Sequence, residues 1–231
     1  MGLKEDLEKE VAKFLRERWE ERDGQKVPEP EELTLGNEAV NLDATVLYAD
    51  MCDSTKLVDR KTATFAAEVY KSYLTCAARI IKDNEGTITA YDGDRIMAVF
   101  IGGSKNTNAA NAGLKINHAV VKIINPAIKH QYSKSDFELS HVVGIDTSKL
   151  LVARIGVRND NDLVWVGRAA NYAAKLSAFD DPNTTYITGD VYDQMNKSVK
   201  YSSGGDLMWQ GKSWEKMGDM TIYRSTWWRS L

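Results

Sequence analysis

Two aspartates in the 231-residue sequence stand where predicted strands end. Asp50 follows an apolar, partly β-branched run that predicts a buried strand over Asp43 to Ala49, and Asp94 lies in a predicted hairpin turn. Adjacent antiparallel strands would bring the two carboxylates together. Such a pair, without histidine or thiolate ligands, suits Mg²⁺ or Mn²⁺ carrying a substrate's phosphates, and it therefore indicates phosphoryl chemistry. Each aspartate alone is more often a turn former than a metal ligand.

A small polar segment follows Asp50 and leads towards a helix. Its residues Asp53, Ser54 and Thr55 could place backbone amides around phosphate oxygens. The same residue types are also suited to an ordinary helix N-cap. The local sequence leaves both interpretations open.

The elements that must position these residues follow from hydrophobic periodicity. Apolar residues at three- and four-residue spacing predict an amphipathic helix over residues 3–22, and Pro28 and Pro30 mark a linker. Residues 1–30 are thus expected to form a helix and linker ahead of a domain over 40–226. Further predicted helices lie at 61–83, 105–131 (broken or kinked at Pro126), 169–179 and, as a single turn, 191–195. Further predicted strands lie around 87–100 as a hairpin, and at 137–146, 149–155, 163–166, 185–188 and 220–224.

Composition narrows the class of protein. Acidic residues number 33 against 30 basic ones, a net charge of −3, so the basic excess of a nucleic-acid-binding protein is absent and no such partner is expected. No apolar run approaches a membrane span, and the charged N-terminus does not resemble a secretory signal. We therefore expect a cytoplasmic protein without a membrane segment. Cys52 and Cys76 are expected to be reduced and structural.

Five segments resemble, in order, the motifs of the class III nucleotidyl cyclase catalytic domain, across about residues 40–226. They are VLYADMCDST, TAYDGDRIMAVF, VGIDTSKLLVARIG, WVGRAANYAAKLSA and KMGDMTIY. One such motif would be weak, but five in the family's order make the resemblance specific. It implies an α+β fold on the ferredoxin-like βαββαβ palm core, with C-terminal extensions after the core and the amphipathic helix before it.

The resemblance also implies roles for individual residues. It assigns two divalent ions, Mn²⁺ or Mg²⁺, to Asp50, Asp94 and the carbonyl of Met51. It implies that Asn171 orients the ribose, and it places Lys175 where the family has an arginine that stabilises the transition state.

Other residues are assigned to the charge on the phosphates. Because lysine lacks the bidentate fork of arginine, Arg168 or Arg95 could supply the transition-state charge in place of Lys175. Lys216 is the nearest candidate for the phosphate-binding lysine of the closing strand. Asp53, Ser54 and Thr55 fall in the loop that binds the triphosphate.

The sequence departs from purine cyclases where that family reads the base. Ala90 replaces the Lys or Glu four residues before the second metal aspartate, and Val164 replaces the usual polar partner, although Asp162 is close. The aromatic residues Tyr48, Tyr91 and Trp165 could narrow the pocket, which would favour a pyrimidine. Tyr48 and Trp165 are equally well explained as core aromatics.

The whole pattern is most similar to the pyrimidine cyclases of Pycsar anti-phage systems. That resemblance implies a homodimer with composite sites, a nucleoside triphosphate substrate and a separate effector protein that reads the product. We expect conversion of UTP to cyclic UMP. The alternatives are cyclic CMP, then cyclic AMP, then an inactive nucleotide-binding domain. The N-terminal helix either strengthens the dimer or docks on its own domain.

Overall fold

The N-terminal helix stands apart from the rest of the chain in the computed structural model, which describes residues 2–231. Helix α1 spans Leu3–Arg16 and buries none of its residues. Its apolar stripe is exposed, with Leu3 and Leu15 accessible over 76% and 81% of their surface. Docking of this helix on its own domain is therefore excluded. The stripe needs a partner outside the protomer to become buried.

The predicted end of this helix at residue 22 is wrong. The amide of Asn37 donates to the backbone carbonyls of Phe14 and Glu17 and so caps the helix six residues earlier. Strand β1, Glu20–Asp23, then pairs in parallel with strand β2, Glu38–Met51.

One mixed sheet of nine strands organises residues 2–231. The other strands are β3 (Thr87–Asp92), β4 (Arg95–Ile101), β5 (His141–Val157), β6 (Asp160–Val166), β7 (Thr184–Thr188), β8 (Gln210–Trp214) and β9 (Met220–Ser225). Their order is β3-β4-β2-β5-β7-β9-β8, with β1 paired to β2 and β6 paired to β5. Strands β2 to β5 give the predicted palm core, because β3 and β4 form a hairpin beside β2 and β5 flanks its other side.

Strand β5 corrects two predictions at once. The sequence predicts two separate strands over 137–146 and 149–155. The structure has one 17-residue strand in their place, and residues 137–140 lie outside it. The hydroxyl of Thr147 donates to the carbonyl of Ala44 and accepts from the hydroxyl of Thr45. The buried Thr147 side chain therefore has its hydrogen-bond partners inside the sheet, and the strand continues through it. Strand β8 was not predicted.

The helices cover both faces of the sheet. They are α2 (Ser54–Arg60), α3 (Ala63–Asp83), α4 (Lys105–Ala119), α5 (Asn125–Gln131), α6 (Arg168–Ser177), α7 (Gly189–Gln194) and α8 (Lys197–Lys200). A π-helical turn over Val120–Ile124 joins α4 to α5. Pro126 explains it, since proline has no amide hydrogen to donate to the carbonyl four residues earlier.

Two apolar layers hold these elements together. Helices α3 and α4 bury one face of the sheet, including Leu47 and Ala49 of β2. Helix α6 lies on the opposite face, where its alanines contact Val46 and neighbouring residues. It approaches closely at Gly144, where a Cβ atom would stand 2.1 Å from the carbonyl oxygen of Ala173. The predicted α+β class is confirmed. No helix within residues 2–231 is both long and apolar enough to cross a membrane.

Candidate active site

The two predicted metal aspartates lie at one edge of the palm core, which we call the carboxylate edge (Asp50 and Asp94). Asp50 is the penultimate residue of β2 and stands opposite Arg95 of β4 in the ladder. Asp94 lies in the two-residue turn between β3 and β4, after Gly93 with its positive φ of 61°. Strand register thus places both aspartates beside Arg95.

The electrostatics of this edge show that the charge of Asp94 acts on Asp50. Burial and then the charge of Asp94 raise the pKa of Asp50 to about 6, against the partial compensation of Arg95. Burial raises the pKa of Tyr73, and the charges of Asp50, Cys52 and Asp94 raise it further. Tyr73 is fully buried behind the edge. The fold therefore concentrates negative charge at the carboxylate edge.

This donor set fits a divalent cation. Two carboxylates that raise the proton affinity of the edge would be stabilised by a hard cation between them. The described residues contain no group of three or more Asp, Glu, His or Cys side chains arranged to hold a metal. The remaining ligands must then be oxygens such as the Met51 carbonyl, water or substrate phosphates, as is usual for Mg²⁺.

The predicted triphosphate loop follows directly from the carboxylate edge. Asp53 precedes α2 in the left-handed region, at φ 55° and ψ 27°, and makes no side-chain cap to the helix. Its carboxylate instead pairs with Lys56 at 2.7 Å. Ser54 and Thr55 open the helix. The structure therefore places these residues beside the edge, and their role with phosphates stays a prediction.

The inner end of α6 is fixed by a buried ion pair. Asp146 is completely buried in β5 and accepts from Arg168 at 3.0 and 3.2 Å and from the Thr188 hydroxyl at 2.5 Å. Arg168 also donates to the carbonyl of Thr147 at 2.7 Å and pairs with Asp190. The Nε and Nη2 donors of Arg168 are thus engaged within its own protomer. This geometry indicates that Arg168 holds α6 on the sheet. Of the two cations, Lys175 is therefore the better placed to reach a substrate phosphate.

The outer face of α6 carries Asn171 and Lys175, four residues apart and both exposed. Asn171 donates to the carbonyl of Gly167 at 3.3 Å. The ammonium of Lys175 lies 3.8 Å from the sulfur of Met217, the residue that follows Lys216 in a short 3₁₀ turn. The predicted ribose, transition-state and phosphate residues thus share one outward surface, on the side of α6 turned away from its own sheet.

The predicted base-pocket residues divide between two faces of the sheet. Tyr48, Ala90 and Trp165 all pack, partly buried, against the apolar layer beneath α6. Tyr91 pairs with Ile96, which faces the other layer, and is 57% exposed. Val164 neighbours Trp165 on β6 and therefore also points to the opposite face. Base recognition by these five residues stays a prediction.

Two residues of the site were missed from the sequence. Asp146 anchors Arg168, and Gly144 lets α6 approach β5. The signal for Asp146 was a lone carboxylate inside an otherwise apolar strand, which is costly unless it is paired. Its partner lies 22 residues away, so the pairing was not readable from spacing.

Comparison with known proteins identifies the family. Residues 39–224 match the model of the adenylate and guanylate cyclase catalytic domain. The chain belongs to this family. The class III nucleotidyl cyclase resemblance of its five motifs is thereby confirmed, and so is the expectation of a phosphorus-oxygen lyase.

Individual relatives place this cyclase more closely. It is 53% identical to a uridylate cyclase of Burkholderia cepacia over 98% of each chain, and 51% identical to a uridylate cyclase of Xanthomonas perforans over 99% of each. The fold of this cyclase is similar to the crystal structure of the adenylyl cyclase CyaB from P. aeruginosa. That likeness has a TM-score of 0.69 at 20% identity and covers 81% of this chain and 95% of the other.

Proposed function

We propose that this cyclase converts UTP to 3′,5′-cyclic UMP and pyrophosphate. The observation that carries the proposal is identity above one half, over nearly the whole length, with two uridylate cyclases. Such similarity spans the base-reading positions as well as the catalytic motifs. Ala90 and Val164, which lack the polar groups of purine-reading residues, agree with a pyrimidine substrate.

The residues of the site support a two-metal displacement. Two divalent ions, Mg²⁺ or Mn²⁺, held by Asp50, Asp94 and the Met51 carbonyl would lower the pKa of the ribose 3′-hydroxyl and neutralise the triphosphate. Asn171 holds the ribose so that its 3′-oxygen lies in line with the α-phosphorus. Lys175 stabilises the charge that grows on the α-phosphate, and Lys216 binds the leaving pyrophosphate.

We place these residues in two composite sites of a homodimer. The carboxylate edge comes from one protomer, and Asn171 and Lys175 come from the other. The support is geometric, because both side chains project from α6 away from the sheet that carries their own Asp50. The exposed stripe of α1 adds a second surface that a twofold partner would cover.

The product has a proposed biological role as a second messenger. Similarity to the pyrimidine cyclases of Pycsar systems supports synthesis in anti-phage defence, with a separate effector protein reading cyclic UMP. Nucleoside triphosphates are made and used in the cytoplasm, and we place the enzyme there.

The experiment is an assay of the purified protein with ATP, GTP, CTP and UTP separately in Mn²⁺, with the products resolved by mass. Asp50→Ala tests the site, and Asp59→Ala on the exposed surface of α2 is the matched control. We expect the wild type to make cyclic UMP from UTP. The rate of synthesis should fall on the order of 1,000-fold in Asp50→Ala and stay unchanged in Asp59→Ala.

Other outcomes would contradict defined parts of the proposal. Cyclic CMP as the main product would overturn the base assignment, and cyclic AMP would overturn the pyrimidine assignment altogether. Absence of product from all four nucleotides would favour an inactive nucleotide-binding domain.

A further inference from the structure

A cavity lies away from the carboxylate edge, between α4 and the C-terminal tail. It has a volume of about 730 Å³, within the range of small-molecule sites. We call it the tail cavity, and its walls include Lys115, Tyr201, Ser202, Trp227, Trp228 and Arg229. None of these residues has a place in the reaction proposed above.

The tail that forms this cavity is irregular in backbone but firmly attached. The side-chain amide of Asn117 donates to the carbonyls of Thr226 and Trp227, at 3.1 Å each. The amide of Arg229 donates to the carbonyl of Leu114 at 3.2 Å. Trp228 lies against the ring of His118 and beneath the ammonium of Lys122, 5.1 Å from each. The walls are therefore held in place before any ligand binds.

The chemistry of these walls selects a class of ligand. Tyr201, Trp227 and Trp228 offer aromatic surfaces, with the two tryptophans 41% and 43% exposed. Arg229 supplies positive charge, and Lys115 adds an ammonium that also pairs with Asp83 at 3.0 Å. Arg229 uses one donor on the carbonyl of Ser198 and has no carboxylate partner among residues 2–231. Aromatic walls beside a guanidinium that has donors left over from its one bond to Ser198 suit a flat ring attached to an anion.

A buried polar chain connects this cavity with the carboxylate edge. The Oδ1 atom of Asn117 accepts from Nε2 of His141 at 3.4 Å, and Nδ1 of His141 accepts from the hydroxyl of Tyr73 at 3.4 Å. His141 is the ladder partner of Met51, the residue after Asp50. This series of hydrogen bonds thus runs from the Trp227 carbonyl, through Asn117 and His141, to the buried Tyr73.

We propose that the tail cavity binds a nucleoside monophosphate and that its occupancy is transmitted to the carboxylate edge through Asn117 and His141. The base lies against the tryptophans, and the phosphate pairs with Arg229 and Lys115. Binding requires no turnover and no metal, so its test is independent of the proposed reaction.

The three histidines allow a direct test, because His118 contacts the cavity wall, His141 lies on the polar chain and His130 on α5 is a built-in control. Protein labelled with ¹³C-histidine is titrated with UMP, CMP, AMP and GMP, and with uridine and inorganic phosphate as partial ligands, in the presence of EDTA. We expect the His118 and His141 resonances to shift together on adding at least one monophosphate, while His130 stays in place.

Variants then locate the site. Arg229→Ala should weaken binding about tenfold, as for one charge-assisted hydrogen bond, and Arg229→Lys should weaken it less. Arg79→Ala, an equal change of charge on the exposed side of α3, should leave the titration unchanged. Asn171→Ala, which impairs the proposed catalytic site, should also leave it unchanged.

Three results would overturn the proposal. One is the absence of any His118 shift at millimolar concentrations of all four monophosphates. Another is an affinity that is unchanged in Arg229→Ala, or a titration that disappears in Asn171→Ala, since binding would then occur elsewhere. A shift of His118 without His141 would keep the binding site and overturn its connection to the edge.

Discussion

The carboxylate edge and the outer face of α6 carry the two halves of the proposed chemistry, and they are built in different ways. Asp50 and Asp94 are positioned by strand register and a tight turn, and the charge of Asp94 acts on Asp50 within one protomer. Asn171 and Lys175 are exposed on a helix whose other face is buried. The first pair lies at one strand edge of a single chain, whereas the second pair points outward. In the homodimer proposed above, folding must therefore be followed by association of two protomers before a complete site exists.

Helix α6 repeats the contrast on a smaller scale. Arg168, at its first turn, is tied to the buried Asp146, whereas Lys175, near its end, contacts only the surface around Met217 and Tyr172 in the described structure. One cation holds the helix on the sheet, and the other is available to a substrate. Substitutions at the two positions should therefore have opposite signatures.

Among substitutions on α6, the largest effect on activity is expected at Lys175. Lys175→Ala removes the proposed transition-state cation and should lower kcat on the order of 100-fold, with little change in the unfolding free energy because the side chain is exposed. Lys175→Arg should retain activity within about tenfold. Steady-state kinetics with UTP and urea unfolding of the same samples measure both quantities. Full activity of Lys175→Ala would remove the assigned role.

Arg168 should behave in the opposite way. Arg168→Ala leaves Asp146 buried without its partner and should destabilise the fold by about 2 kcal/mol, less than for a fully buried pair because the guanidinium is partly exposed. Urea unfolding measures this loss, with Arg158→Ala in the β5–β6 turn as the control. An unchanged stability together with a collapse of kcat would reverse the roles of Arg168 and Lys175.

Tyr186 tests the packing beneath the C-terminal end of α6. It packs with Leu176 and Trp214, and its hydroxyl donates to Asp181 at 2.5 Å. Burial, and then the bond to Asp181, raises the pKa of Tyr186 to about 12. Between pH 10 and this value the unfolded chain loses the proton while the folded protein keeps it, so this contribution to stability falls as pH rises.

Tyr186→Phe removes that contribution. We expect a loss of about 1 kcal/mol at pH 7 and a flatter decline of stability between pH 10 and 11.5, measured by urea unfolding at each pH. Tyr70→Phe on α3 is the matched control. Parallel pH curves for wild type and Tyr186→Phe would contradict the raised pKa.

The smallest effect on folding is expected from deleting α1. Removal of residues 1–16 takes away no buried side chain, so the unfolding free energy at high protein concentration should change by less than about 1 kcal/mol. The exposed stripe predicts that the deletion weakens self-association, which sedimentation velocity over a dilution series measures. Self-association that is unchanged by the deletion would show that the apolar stripe of α1 does not contribute to the dimer.

The palm core could be predicted from the sequence, because its strands and long helices show clear hydrophobic periods of two and 3.6 residues. Prediction failed where tertiary contacts override local signals. The sequence predicts two strands where β5 is continuous, and it extends the first helix over residues 17–22, although Asn37 ends that helix from a distance. Motif order predicted Asp50, Asp94, Asn171 and Lys175 as site residues. Their division between a strand edge and an outward helix face depends on packing, which spacing does not encode.

The most direct test of a composite site is complementation between two inactive variants. Asp50→Ala damages the carboxylate edge, Asn171→Ala damages the helix half, and each alone should be nearly inactive. If each site combines two protomers, a mixed dimer has one intact site and one doubly damaged site. Statistical mixing then predicts about a quarter of wild-type cyclic UMP synthesis. Activity of the mixture that stays at the level of the single variants would show that each protomer carries its own complete site and would contradict the account.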